Sequence, residues 1–99
     1  AGTRDEPLAD DALMALGEVR LMQDDARAAV ETWLSLPERF AESMLAPGAL
    51  LRAAEVLRGE LADEAGAADA LRRITEGYPD SAAADQARSE LELLGRRDP

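Results

Sequence analysis

A pattern in this 99-residue chain recurs after 38 residues. Ala29, Trp33 and Leu36 are answered by Ala67, Leu71 and Ile74, and the run Glu38 to Ser43 by Glu76 to Ser81. In the segments before them, Leu13 falls on Leu51, Ala15 on Ala53 and Val19 on Leu57, while Pro7 and Leu8 fall close to Pro47. The coincidence spans two helical segments and the link after them, which marks a repeated helical hairpin. A single hairpin cannot cover its own apolar face. Stacking a second one against it covers both, with small residues at the crossings and larger ones in the grooves.

The elements follow from apolar spacing and end signals. Ala12, Ala15, Leu16, Val19 and Met22, widened by Leu13 and Leu21, predict a first helix over 8–23. Asp24 or Asp25 caps a second helix carrying Ala26, Ala29, Val30, Trp33 and Leu34, which ends near Pro37 or, if the proline only bends the last turn, near Phe40. Residues 41–47 form a connector, with Pro47 in the first turn of a third helix. Leu50, Leu51, Ala54, Leu57, Leu61 and Ala62 extend that helix to about Asp63. Gly66 marks a turn or a first helical position. Ala67, Ala70, Leu71 and Ile74 make a fourth helix that stops near Gly77 and Tyr78, because Pro79 restricts the residue before it. Ser81 caps a fifth helix bearing Ala84, Ala87, Leu91 and Leu94. The expected organisation is a lead-in over 1–7, hairpins over 8–40 and 46–78, a capping helix over 81–94 and a tail over 95–99. Trp33 is expected as a core plug, and Phe40 and Tyr78 as covers of the helix ends, with the Tyr78 hydroxyl left wet.

Composition agrees with an all-α fold and narrows the function. Apolar residues make up 46% of the chain and aromatics only 3%, with alanine and leucine prominent, as suits close helix packing. Eleven basic against 21 acidic residues give a net charge of -10, which opposes nucleic acid and anionic membrane surfaces and leaves a basic segment of a protein partner acceptable. There is no cysteine and no histidine, which removes disulfides, thiolates, the usual neutral-pH acid–base group and the commonest metal ligand. No apolar run approaches the roughly 20 residues of a membrane span. The chain starts without methionine and shows no targeting segment, which reads as an excised or processed domain.

No catalytic constellation emerges. The acidic pairs Asp10–Asp11, Asp24–Asp25 and Asp63–Glu64 lack the helical Glu-x-x-His and calcium-loop patterns and read as caps and solvated charge. Ser35, Ser43, Ser81 and Ser89 have no histidine partner, and no glycine-rich phosphate loop occurs. The chain reads as a non-enzyme with no cofactor and no metal.

The repeat resembles the tetratricopeptide repeat family. Leu13, Leu16 and Gly17 resemble the large residue, leucine and glycine of its first helix, Ala29 the small crossing residue of the second, and Trp33 its aromatic position. The segment Glu76 to Ser81, followed by Ala84 and Ala87, is similar to the link in bacterial cell-envelope members, such as the TolA-associated cell-division coordinator, outer-membrane assembly lipoproteins and the translocon-associated periplasmic subunit. Arg20 stands where the motif has tyrosine, Ala41 where the first link has proline, and Glu55 where the second repeat should have its close-approach glycine.

The resemblance implies an α–α superhelix of two stacked hairpins plus a C-terminal capping helix, and a protein-interaction module in a bacterial envelope or secretion assembly. The periplasmic side is the expected location, with the cytoplasm as the alternative. The family's inner, concave positions map to Asp11, Met14, Glu18, Leu21 and Met22 in the first repeat and to Arg52, Val56 and Glu60 in the second. Met side chains adapt to varied apolar partners, and Glu18 and Glu60 suit a partner's lysine or arginine. The other function open to this chain is structural: a homodimer formed through the repeat faces or the last helix, where Leu91, Leu93 and Leu94 cluster.

Overall fold

The structure, a computed structural model, describes residues 9–96. The expected lead-in over 1–7, Leu8 and the last residues 97–99 of the tail lie outside the described residues. The described residues form α1 (Asp10–Met22), α2 (Ala26–Arg39), α3 (Ala46–Gly59), α4 (Glu64–Gly77) and α5 (Ala82–Arg96), with no strand among them.

Each helix packs on the next, and α3 also touches α5. Ion pairs then tie alternate helices together: Glu18 to Arg52 across α1 and α3, Arg58 to Glu90 across α3 and α5, and Glu38 to Arg73 across α2 and α4. The result is two layers, α1–α3–α5 and α2–α4, in a body of 58 × 31 × 15 Å. This is an open α–α superhelix of two hairpins closed by a fifth helix; a closed bundle would be rounder.

Local chemistry explains the ends. The Asp25 and Asp63 carboxylates accept the amide hydrogens of Ala28 and Gly66 at 3.1 and 2.9 Å, each capping an otherwise orphan donor. Ser81 Oγ does the same for Ala84 at 3.1 Å and opens α5. Pro37 sits inside α2, but only in its last turn, so the helix loses one bond and still runs to Arg39, where the Phe40 amide donates to the Leu36 carbonyl. Helix α5 runs two residues past the expected end at Leu94, through Gly95 to Arg96, because nothing in Gly95 forces a stop there.

One boundary differs from the sequence pattern, with consequences for the whole repeat. Helix α3 stops at Gly59 and not near Asp63. Leu61 and Ala62 continue the apolar spacing, but Ala62 adopts φ 51°, a left-handed conformation that no helix accepts. Asp24 takes the same role before Asp25, at φ 64°. Between α1 and α2 stand Gln23 to Asp25, whereas Glu60 to Asp63, one residue more, join α3 to α4. The closing bond shows the slip directly. Asp25 N–H donates to Arg20 O, and Asp63 N–H donates to Leu57 O, so donors 38 apart meet acceptors 37 apart.

Helices α2 and α4 are therefore related by 38 residues, and α1 and α3 by 37. Leu13 is equivalent to Leu50 and Gly17 to Ala54, and all four are buried. The Glu55 departure from the family pattern disappears, since a small residue, Ala54, holds the crossing position. Trp33 and Leu71 occupy matching places, both with no exposed surface, and anchor a core otherwise rich in alanine with Leu36, Leu50 and Ile74.

Candidate partner-binding face

The inner layer is organised around Trp33. A Cβ at Gly17 would overlap Nε1 and Cε2 of this ring and lie 2.7 Å from Cδ1, so α1 can lie over the indole only because residue 17 has no side chain. The indole Nε1–H then donates to the Met14 carbonyl at 3.2 Å, which satisfies its only polar atom. In the second hairpin the crossing pair is Ala54 and Leu71: one methyl more on the inner helix, a smaller side chain on the outer one.

Arg52 of α3 seals the ring from the inner side, its guanidinium 5.0 Å from the Trp33 centroid. Its Nε and Nη2 donate to the two Glu18 carboxylate oxygens at 2.7 and 2.9 Å, a bidentate pair, and Nη1 reaches Glu55 at 3.2 Å. The Glu18 bond raises the Arg52 pKa above its ordinary value against the opposing pull of partial burial, so the cation is fixed in place. One helix further on, Glu90 holds the position equivalent to Arg52 and reaches back to Arg58 at 3.6 Å with the charges exchanged. A second tether joins α1 to the α2–α3 connector. Ser43 Oγ–H donates to Asp10 Oδ2 at 2.5 Å, holding that carboxyl below its usual range, and accepts the Leu45 amide hydrogen. Tyr78 bridges the two links by donating its hydroxyl to the Ala41 carbonyl at 2.7 Å, so this hydroxyl is bound and not merely wet.

The residues expected at the partner face divide into three groups. Asp11 and Met22 are exposed, Met22 at 82%. Met14 and Leu21 are half-buried, with their inner sides against the core. Glu18 and Arg52 are half-exposed but bound to each other, so Glu18 is not a free carboxylate awaiting a partner's cation. Val56 is a correction: it is 2% exposed and belongs to the core, because the one-residue slip turns it away from the inner surface. Glu60 is exposed but lies beyond the end of α3, in the turn to α4, since the helix stops before it.

The 37-residue register places Leu51, Glu55 and Arg58 opposite Met14, Glu18 and Leu21, and these three are the second hairpin's inner residues that the sequence pattern missed. The signal that could have found them was the longer run between Gly59 and the Asp63 cap. Leu91 and Leu94, expected to leave apolar surface on the last helix, pack against the core, and only Leu93 stays largely open. Among the described residues no group of three or more Asp and Glu side chains is placed to hold a metal ion, and no helix is long and apolar enough to cross a membrane.

These features coincide with a family match. Residues 48–81 match the tetratricopeptide repeat family model. The matched segment comprises most of α3, all of α4 and the link to Ser81, whose caps and crossings the first hairpin reproduces. Tetratricopeptide repeats are generally protein–protein interaction modules and are typically non-catalytic. No curated protein and no solved structure matches the chain.

Proposed function

We propose that this chain is a non-enzymatic adaptor that holds a protein or peptide partner along the α1–α3 inner face, as part of a bacterial cell-envelope or secretion-related assembly on the periplasmic side. The observation that carries the reading is an uneven surface on one side of the matched repeat. The exposed Met22 and the half-buried Met14, Leu21 and Leu51 supply adaptable apolar contact beside the Glu18–Arg52–Glu55 cluster. The partner segment is apolar with basic residues, since the chain carries ten more acidic than basic groups and the Glu18 and Glu55 side chains, 43% and 44% exposed, outnumber the one Arg52 cation they share. Nucleic acid and anionic lipid are disfavoured by the same charge.

A photo-crosslinking residue at position 22, introduced into the full chain in its native extract, tests this reading. A salt-sensitive protein adduct that is lost in a Glu55→Lys background supports it. An adduct formed equally well by the same crosslinker at Glu31, on the exposed side of α2, contradicts it. Adducts only between copies of this chain favour the homodimer instead.

A further inference from the structure

The two outer helices end alike in backbone and unlike in charge. Phe40 and Tyr78, equivalent residues of the repeat, close α2 and α4 with nearly the same dihedral angles, φ −136° in both and ψ 64° and 55°. At the first end, Arg39 stands in the last turn of α2 with its guanidinium 5.8 Å from the centroid of the Phe40 ring. A cation there meets an aromatic face and the partial negative charge of the helix end together. At the second end the ring is kept and the cation is missing. Gly77 takes the place of Arg39, the last turn of α4 has no basic residue, and a Cβ at Gly77 would meet nothing within 4 Å. A cavity of about 360 Å³ opens at this point, lined by Pro37, Leu50, Arg73, Glu76, Gly77 and Tyr78. Pro37 and Leu50 are buried and give it an apolar floor. The Arg73 guanidinium is 3.8 Å from the Glu38 carboxylate and is balanced by it, whereas Glu76, the exposed counterpart of Glu38, pairs with no described residue. The Tyr78 hydroxyl, donating to the Ala41 carbonyl at 2.7 Å, fixes the ring across the two links.

We propose that this cavity, between the last turns of α2 and α4, binds an arginine side chain of a partner protein. The incoming guanidinium lies over Tyr78 as that of Arg39 lies over Phe40, its aliphatic stem covers the Pro37 and Leu50 floor, and Glu76 with the carbonyl end of α4 supplies the opposing charge. Arginine is favoured over lysine because a planar guanidinium stacks on a ring and is more weakly hydrated than an ammonium. A side chain within a polypeptide is favoured over the free amino acid, whose carboxylate would enter beside Glu76 and the α4 carbonyls. The site lies at the ends of the outer helices, away from the α1–α3 inner face, and does not depend on what that face holds.

The probe is N-acetyl-arginine-N-methylamide, titrated at low salt into the isotope-labelled full chain and followed by amide and aromatic chemical shifts. Tyr78 is the single tyrosine, so its ring signals report this site alone. Saturable shifts confined to the residues around the cavity are expected, with cross-peaks between the probe's δ-methylene and the Tyr78 ring. Glu76→Gln should weaken binding about two- to fivefold, and Glu31→Gln, at an exposed acid elsewhere, should leave it unchanged. Tyr78→Phe keeps the ring and should bind within about twofold of the wild-type chain. Gly77→Ala leaves the cavity open and should bind as well, whereas Gly77→Arg supplies the cation from the chain itself and should weaken binding about tenfold. Free arginine and the lysine analogue of the probe should bind more weakly than the probe. The proposal is overturned by no binding, by shifts spread over the acidic surface, by equal effects of Glu76→Gln and Glu31→Gln, or by binding that survives Gly77→Arg. Free arginine or the lysine analogue binding as tightly as the probe would also overturn it, assigning the cavity to a free metabolite or to cations in general.

Discussion

Exchanging the crossing pair of the first hairpin for that of the second, Gly17→Ala with Trp33→Leu, tests how this fold fits its helices together. Gly17→Ala alone gains about 1 kcal/mol of helix propensity. It also drives a methyl group into an indole that has no exposed surface and is tied to the Met14 carbonyl, so the ring cannot step aside. Overpacking of this kind costs roughly 1–3 kcal/mol, leaving a net loss of about 0–2 kcal/mol. Trp33→Leu alone opens a cavity beneath Arg52 and costs about 2–4 kcal/mol. In the double variant the leucine leaves room that the alanine methyl partly fills, as Ala54 and Leu71 do in the second hairpin. The pair should therefore be less damaging than the sum by about 1–3 kcal/mol. Urea unfolding of the four proteins, followed by helix ellipticity, measures each term. Additivity within about 0.5 kcal/mol, or a stabilised Gly17→Ala protein, would refute the reasoning.

Three further outcomes follow from the same geometry. Arg52→Ala removes the cover of Trp33, so its fluorescence should move to longer wavelength with a loss of about 1 kcal/mol, and an unchanged spectrum would mean the stacking is not maintained in solution. Ala62→Gly relieves a left-handed conformation and should stabilise by about 1 kcal/mol in thermal unfolding, whereas Ala15→Gly, in the middle of α1, should destabilise by a similar amount. The Ser43 hydroxyl holds the Asp10 carboxyl below 3.8, so this bond's contribution is whole above the unfolded value and fades as pH falls through the lower folded one. Ser43→Ala should raise the Asp10 titration midpoint, read by carboxyl carbon shifts, toward 3.8 and flatten the acid limb of the stability curve. A midpoint that stays where it was would remove that bond from the account.

Much of the fold could be read from the chain because its signals are local. Asp25, Asp63 and Ser81 each cap the helix that follows them, and an Asp or Ser side chain does that work from its own position. Pro37 left two endings open, and its place in the last turn, where only one bond is lost, decided between them. The end of α3 was hidden because Leu61 and Ala62 keep the helical spacing of apolar residues while the backbone turns left-handed to reach Asp63. That single extra residue moved every inner position of the second hairpin by one. It put Val56 in the core, left Glu60 in a turn and brought Leu51, Glu55 and Arg58 to the inner face. The Glu18–Arg52 pair was also out of reach of the pattern. Both residues were identified as inner ones, but whether two charges 34 positions apart meet each other or a partner depends on how far the hairpins slide.

The central claim is that two equivalent hairpins lie side by side with their outer helices in a 38-residue register and their inner helices in a 37-residue one. A methyl-resolved nuclear Overhauser spectrum tests it most directly. Cross-peaks from the Trp33 indole protons to the Gly17 α-protons and from the Leu71 methyl groups to the Ala54 methyl group are the predicted result. Leu71 contacts to Glu55 in place of Ala54, or no contact between Trp33 and Gly17, would contradict it.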